Sequence, residues 1–142
     1  VIALSNAAGA PLLDHATLPI CLDTPPECLD GSTRMGAGTA QKVALNIMST
    51  VMGVALGHVH DGLMVNLRSD NQKLRARAIS VVAQITGVPL PMADAHLQTA
   101  AGDIKIAILL ARGVGSTEAN AILARHGGHL REALAHLPPT RP

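Results

Sequence analysis

From Gly36 to Leu56 the chain has no proline, and its apolar side chains (Val43, Leu45, Ile47, Met48, Val51, Met52, Val54, Leu56) fall on nearly every side of a helix. A helix apolar all round has no face to offer water, so this stretch predicts a buried central helix that other elements must cover. Gly38, Ala40, Ala44, Ser49 and Gly53 would let those neighbours approach closely, and Gly57 ends the helix. A membrane span wants about 20 apolar residues with few polar ones. Here Asn46, Ser49, Thr50 and His58 interrupt the apolar run from Val43 to Val59, which argues for a buried helix and against a membrane.

Strand signals are few. Val1-Ile2-Ala3-Leu4-Ser5 is short, continuously apolar and β-branched, and reads as a strand buried on both faces of a parallel sheet. A second strand is expected at Leu18 to Leu22, after a short helical piece near Pro11 to His15, and a third at Leu63-Met64-Val65. Two or three short strands rarely make a stable sheet, and a doubly buried strand needs neighbours and covering helices. The expectation is therefore the C-terminal part of a larger α/β protein.

The remainder reads as helical. Ser69 and Gln72 form a capping-box pattern, opening a helix that runs to Thr86 with Gly87 as its C′ residue and Pro89 beyond. Arg68, Lys73, Arg75 and Arg77 give that helix a basic, solvated face. From Val88 the sequence repeats weakly: Ala95-x-Leu97…Gly102-x-Ile104-Lys105-x-Ala107-Ile108 matches Ala121-x-Leu123…Gly128-x-Leu130-Arg131-x-Ala133-Leu134. Each copy is a helix, a glycine break and a second helix, so two copies predict a small bundle of four short helices. Ser116, with Glu118 in the first turn, is the expected N-cap of the second copy, and Pro138 to Pro142 a frayed tail. The expected organisation is 1–67 sheet-containing part, 68–87 connecting helix and 88–142 helical domain.

Composition excludes several functions. Phe, Tyr and Trp are all absent, so no aromatic platform can stack bases or sugar rings. Lys and Arg number 11 against 10 Asp and Glu, net charge +1, with neither sign concentrated, which argues against nucleic acid as a partner. Val1 to Leu4 is too short for a signal-peptide core. Cys21 and Cys28 are too few for a disulfide framework, and a reduced, cytoplasmic protein is expected.

Chemistry concentrates in one stretch, Pro26-Glu27-Cys28-Leu29-Asp30-Gly31-Ser32-Thr33-Arg34-Met35-Gly36-Ala37-Gly38-Thr39-Ala40-Gln41-Lys42. Glycines let backbone N–H groups face a ligand, a helix N-terminus favours anions, and Arg34 and Lys42 could add charge-assisted bonds to a phosphate or carboxylate. A well-capped helix start with a glycine-rich turn explains the same spacing, and Glu27 alone reads as a solvated loop carboxylate or a helix cap as readily as a ligand contact. Three glycines, Gly31, Gly36 and Gly38, around Arg34 favour ligand contact over a purely structural turn. The spacing is neither a P-loop nor a dinucleotide fingerprint. His58-x-His60 lacks a neighbouring carboxylate or cysteine ligand and is not expected to hold a metal. Cys28 has no partnered base. His15, His96, His126, His129 and His136 read as surface residues.

Pro26-Glu27, Gly31-Ser32-Thr33-Arg34-Met35, Ala37-Gly38-Thr39-Ala40-Gln41-Lys42, Leu45-Asn46 and Ser49-Thr50 together resemble the N-acetylmuramic acid 6-phosphate etherases of the sugar isomerase (SIS) superfamily. The likeness continues through Gly57-x-Val59, Gly62-Leu63-Met64-Val65, Asn71, Lys73-Leu74, Gly102-Asp103-Ile104-Lys105, Gly127-Gly128 and Leu130-Arg131. Gly36 stands where the family usually has lysine, which removes one anion contact, and Asp61-Gly62 replaces a common Gly-Asn pair. The resemblance implies an α/β fold: the C-terminal half of a SIS-type parallel sheet flanked by helices, followed by a small all-helical bundle. It implies cleavage of the D-lactyl ether of a phosphorylated amino sugar by elimination and hydration, giving N-acetylglucosamine 6-phosphate and D-lactate without metal or cofactor. It implies substrate contacts at Glu27, Ser32, Thr33, Arg34 and Lys42, and no catalytic residue in this chain, since the family's acid and base lie in its N-terminal half. A homodimer, or association with that missing half, is the expected assembly. A non-catalytic sugar-phosphate sensor resembling glucokinase regulatory protein, or a generic phosphosugar isomerase, shares the same loop.

Overall fold

The computed structural model describes residues 1–68 and 71–138, in two compact units, Val1–Met52 and Gly53 onward. In the first, β1 (Ile2–Ser5) and β2 (Leu18–Cys21) pair in parallel with Ile2 opposite Leu18 and Leu4 opposite Ile20. Parallel strands need a crossover, and here it carries the short helix α1 (Pro11–Asp14), which starts on a proline whose missing N–H no helix would use. β1 is less buried than its composition predicts. Ala3 is 3% exposed, but Ile2 is 52% exposed, because within these residues β1 has one paired edge and little covering its faces.

Helix α2 (Gly36–Ala55) forms where expected, with Gly57 left-handed just beyond its end, but it is not buried. No residue along it falls in the core, and Val43, Ile47 and Val51 are each at least half exposed. A helix apolar on all sides needs cover on all sides, and no described element packs extensively along it.

The second unit begins with a hairpin, β3 (Val59–His60) and β4 (Leu63–Met64). The strand expected at Leu63–Val65 is thus antiparallel and local, and does not extend the parallel sheet. Its partner, Val59–His60, was not anticipated. Asp61 (φ +47°) and Gly62 (φ +77°) make the two-residue turn, with both central residues left-handed as a tight hairpin demands.

Five helices follow among the described residues. They are α3 (Gln72–Thr86), α4 (Leu90–Thr99), α5 (Ile104–Ala111), α6 (Ser116–Arg125) and α7 (Leu130–Ala135). The cap of α3 is Asn71, whose side chain accepts from the Leu74 N–H; the expected Ser69 lies outside the described residues. Gly87 closes α3 in the left-handed conformation, as its position predicts. Ser116 is not the cap of α6 but its first residue: Gly115 is the cap, and Asn120 donates to the Ser116 carbonyl. No single described helix is long and apolar enough to cross a membrane.

The repeat is visible in the backbone. After α4, Ala101 and Gly102 are both left-handed and the Gly102 N–H bonds the Leu97 carbonyl; after α6, Gly127 and Gly128 do the same, with the Gly128 N–H on Leu123. This six-to-one bond ends each first helix and turns the chain into the second. The helix buried on nearly every side is α5: Ile104 through Leu109 are all buried, Lys105 included. Lys105 donates Nζ to the Gly128 carbonyl at 2.7 Å, and desolvation holds its pKa below the usual lysine value. Arg131, its counterpart in the second copy, pairs with Asp61 on the hairpin turn.

Gly57 sits where this unit is tightest. Its φ is +68°, and a Cβ there would lie 3.0 Å from the Gly128 carbonyl oxygen and 3.1 Å from the His129 Cα. Gly57→Ala is therefore expected to destabilise the helical unit by about 1–3 kcal/mol, read by denaturant unfolding. A change within about 0.5 kcal/mol would show that the turn relaxes freely. His60 supplies a second test. It is 8% exposed and its Nδ1 is buried without a hydrogen-bond partner. Burial lowers its pKa, opposed by Asp61 and assisted by Arg131. The neutral form is thus the folded one: stability is full above the ordinary value of 6.5 and falls as pH drops through the folded-state pKa. Melting followed from about pH 7.5 to 5 should show this loss, and His60→Gln should reduce it.

Candidate functional site

The stretch that carries the expected site residues follows one end of the parallel pair. β1 and β2 run the same way, so Asn6 after β1 and Leu22 to Thr24 after β2 leave the sheet together, and the 25–35 loop leads from there to the start of α2. Crevices beyond the carboxyl ends of parallel strands are where open α/β sheets bind ligands.

Glu27 occupies the N-terminus of α2. Its Oε1 accepts from the Gly36 N–H at 3.0 Å and the Ala37 N–H at 3.0 Å, and its Oε2 accepts from Gly36 at 2.9 Å. The Gly38 N–H bonds the Thr33 carbonyl at 2.8 Å. Three amides that a helix start leaves unsatisfied are therefore satisfied from within the chain. The Ala37 and Gly36 bonds hold the Glu27 carboxyl below the usual glutamate value. Of the readings of this residue (ligand contact, solvated carboxylate or helix cap), the cap is the one observed. The helix N-terminus expected to hold a ligand's anion already holds one of the protein's own.

The glycines also have local reasons. Gly31 is left-handed (φ +72°), a Cβ on Gly38 would lie 3.2 Å from the Thr33 carbonyl, and one on Gly36 would lie 3.4 Å from the Glu27 carboxylate. The turn itself accounts for Gly31 and Gly38, and at Gly36 a Cβ would make ordinary contact with the flexible Glu27 side chain, so the glycines carry no argument for ligand contact. What remains for a ligand is the rim. Ser32 is half-buried, Thr33 and Arg34 are exposed on the loop, and Lys42 is exposed on α2. Neither Arg34 nor Lys42 has an acidic partner among the described residues.

The sequence reading missed what holds this edge together. Asn6 donates Nδ2 to the Leu22 carbonyl (3.1 Å) and to Thr24 Oγ1 (3.3 Å), and its Oδ1 accepts from Gln41 Nε2 (2.7 Å). An asparagine directly after a strand was the available signal, but its three partners lie 16, 18 and 35 residues away. Elsewhere, the described residues contain no group of three or more His, Cys, Asp or Glu able to hold a metal ion. Contrary to the expectation that His58-x-His60 has no carboxylate beside it, the His60 ring lies next to Asp61, its Nε2 3.6 Å from that carboxylate.

No protein-family model matches the chain. Curated relatives do. It is 43% identical over 134 residues to the N-acetylmuramic acid 6-phosphate etherase of Deinococcus radiodurans, covering 94% of this chain and 44% of that protein. The proteins of the same name from Halalkalibacterium halodurans and Burkholderia lata are 41% and 43% identical, over 91% and 98% of this chain and 44% and 46% of their own lengths. By sequence the chain is related to the N-acetylmuramic acid 6-phosphate etherases. It spans less than half the length of these etherases.

The capping role of Glu27 is open to test by titration. Because its folded pKa is depressed, the carboxylate contributes stability above the ordinary value of 4.5, lost as pH falls through the folded-state value. Carboxyl NMR should find Glu27 titrating below 4.5, and Glu27→Gln should speed amide exchange at Gly36 and Ala37. A Glu27 that titrates at 4.5 or above would contradict the cap.

Proposed function

We propose that this chain supplies one wall of a sugar-phosphate site in an etherase that cleaves the D-lactyl ether of N-acetylmuramic acid 6-phosphate. The observation that supports the reading is that Arg34, on the loop that follows the carboxyl end of a parallel strand pair, and Lys42, on the helix which that loop enters, are both exposed and without an acidic partner among the described residues, with Ser32 and Thr33 on the same loop. The relatives' shared name supplies the substrate. Arg34 and Lys42 meet anionic oxygens, and the hydroxyls of Ser32 and Thr33 meet sugar or phosphate oxygens. Glu27 acts one step back, holding the loop whose rim makes those contacts. The SIS-type sheet belongs to this reading, with β1 and β2 as part of a larger parallel sheet in a cytoplasmic enzyme.

The ether C–O bond breaks by elimination, in which a base removes the proton beside the carbonyl-level carbon and an acid protonates the departing lactate oxygen; water then adds. The family resemblance assigns both groups to sequence outside this chain. The wall described here binds and orients. Purified alone, the chain is expected to release no lactate from N-acetylmuramic acid 6-phosphate. Turnover comparable to an intact etherase would overturn that expectation.

In an intact protein carrying this stretch, Arg34→Ala should lose about 1.5–3 kcal/mol of a charge-assisted bond, a tenfold or greater fall in kcat/KM. Full activity per folded molecule would remove Arg34 from the substrate. The same reading has the exposed apolar faces of α2 covered by further polypeptide, a second copy in the case of this chain alone. Sedimentation should then report a species heavier than the 14.6 kDa monomer, and a compact, concentration-independent monomer would count against it.

A further inference from the structure

The side chain that organises this site sits outside the loop that carries it. Asn6 is half-buried at the exit of β1, and its carboxamide reaches the exit of β2 through two donated bonds and α2 through one accepted bond. Both amide hydrogens and the carbonyl are engaged. No other side chain of this size offers two donors and an acceptor in one plane: aspartate would set an oxygen against the Leu22 carbonyl, and serine would reach fewer partners. The segments it joins are those that frame the 27–36 loop. That loop is closed at its far end by Glu27 on Gly36 and Ala37, so Asn6 and Glu27 are its two pins.

We propose that Asn6 is the positioning residue of this site, its carboxamide setting where the loop bearing Ser32, Thr33 and Arg34 stands relative to α2. The proposal rests on the sugar-phosphate reading for what the loop binds, but its geometry is independent of that reading. Binding groups must be held to within about 0.5 Å to act together, and an exposed loop pinned at one point is not so held. Through Gln41, Asn6 ties the loop's approach to the helix one residue before Lys42, so the two cations share one frame.

The test uses the full chain with Asn6→Ala and with Gln41→Met, which replaces an exposed helical side chain and spares the strands. Three quantities are read: amide exchange at Gly36 and Ala37, the titration of Glu27, and affinity for N-acetylglucosamine 6-phosphate. In both variants exchange should rise severalfold, the Glu27 titration should move up toward the ordinary glutamate value, and exchange in α3 to α7 should stay unchanged. A general loss of stability would not move the Glu27 titration while sparing those helices. Unaltered exchange and titration in folded variants would overturn the proposal, and should Asn6→Ala fail to fold, Gln41→Met decides it. Arg34→Ala separates the two ideas. If it weakens sugar-phosphate binding about tenfold while Asn6→Ala and Gln41→Met leave binding and exchange intact, the positioning role is wrong and the site stands. If the unaltered chain binds no sugar phosphate, the functional reading fails, and exchange with titration still decides Asn6.

Discussion

Helix α5 has almost no side that can face water, and the helical unit is built around that fact. Ile104, Ile106, Ile108 and Leu109 are all buried, each contributing about 1.5–3 kcal/mol when removed from solvent. With no aromatic residue to fill space, the cover comes from aliphatic side chains on several short helices, among them Val82 of α3, Leu97 of α4, Ile122 of α6 and Leu130 of α7. Turns between them are correspondingly tight, and glycine occurs where backbone meets backbone, as at Gly57 and Gly128. Lys105 is carried into this core by its place on α5, and the Gly128 carbonyl gives its ammonium a partner. A buried cation thereby joins the first repeat to the turn of the second.

The other unit is organised by polar contacts. Its two strands are short and half-covered, and order at the site edge comes from two carboxyl-type side chains: the Glu27 carboxylate on the amides of α2, and the Asn6 carboxamide spanning both strand exits and the helix. This arrangement changes the chemistry available to a ligand. A free helix N-terminus would offer backbone amides to an anion. With Glu27 in that place, those amides are already occupied, and in the proposed reading the electrostatic task falls to the side chains of Arg34 and Lys42.

Much of this was legible in the sequence. The positions of β1, β2, α1 and α2, the glycine end of α3 and the two-copy helical repeat follow from apolar periodicity, proline placement and glycine, all of which act within a few residues. The stretch from Glu27 to Lys42 stood out because its residue types are rare together, and the relatedness to the etherases was carried by those same residues. The misses share a cause. Ser116 and Asn71 show that a cap is chosen by where the backbone leaves the helix, and several nearby polar residues can meet the sequence pattern equally well. Val59–His60 is too short to announce itself until its partner turns back at Asp61-Gly62.

Burial and side-chain partnership are of a different kind. α2 and α5 look alike by composition, yet α5 is enclosed and α2 is not, because enclosure is a property of the neighbours. Glu27 could have been a cap, a solvated carboxylate or a ligand contact until the chain brought Gly36 and Ala37 to it, and Asn6 is an ordinary asparagine until Leu22, Thr24 and Gln41 surround it. Local preference is written in local sequence, since dihedral and capping energies depend on adjacent residues. Which hydrogen bond a carboxamide makes across 35 residues depends on the path of the whole chain between them.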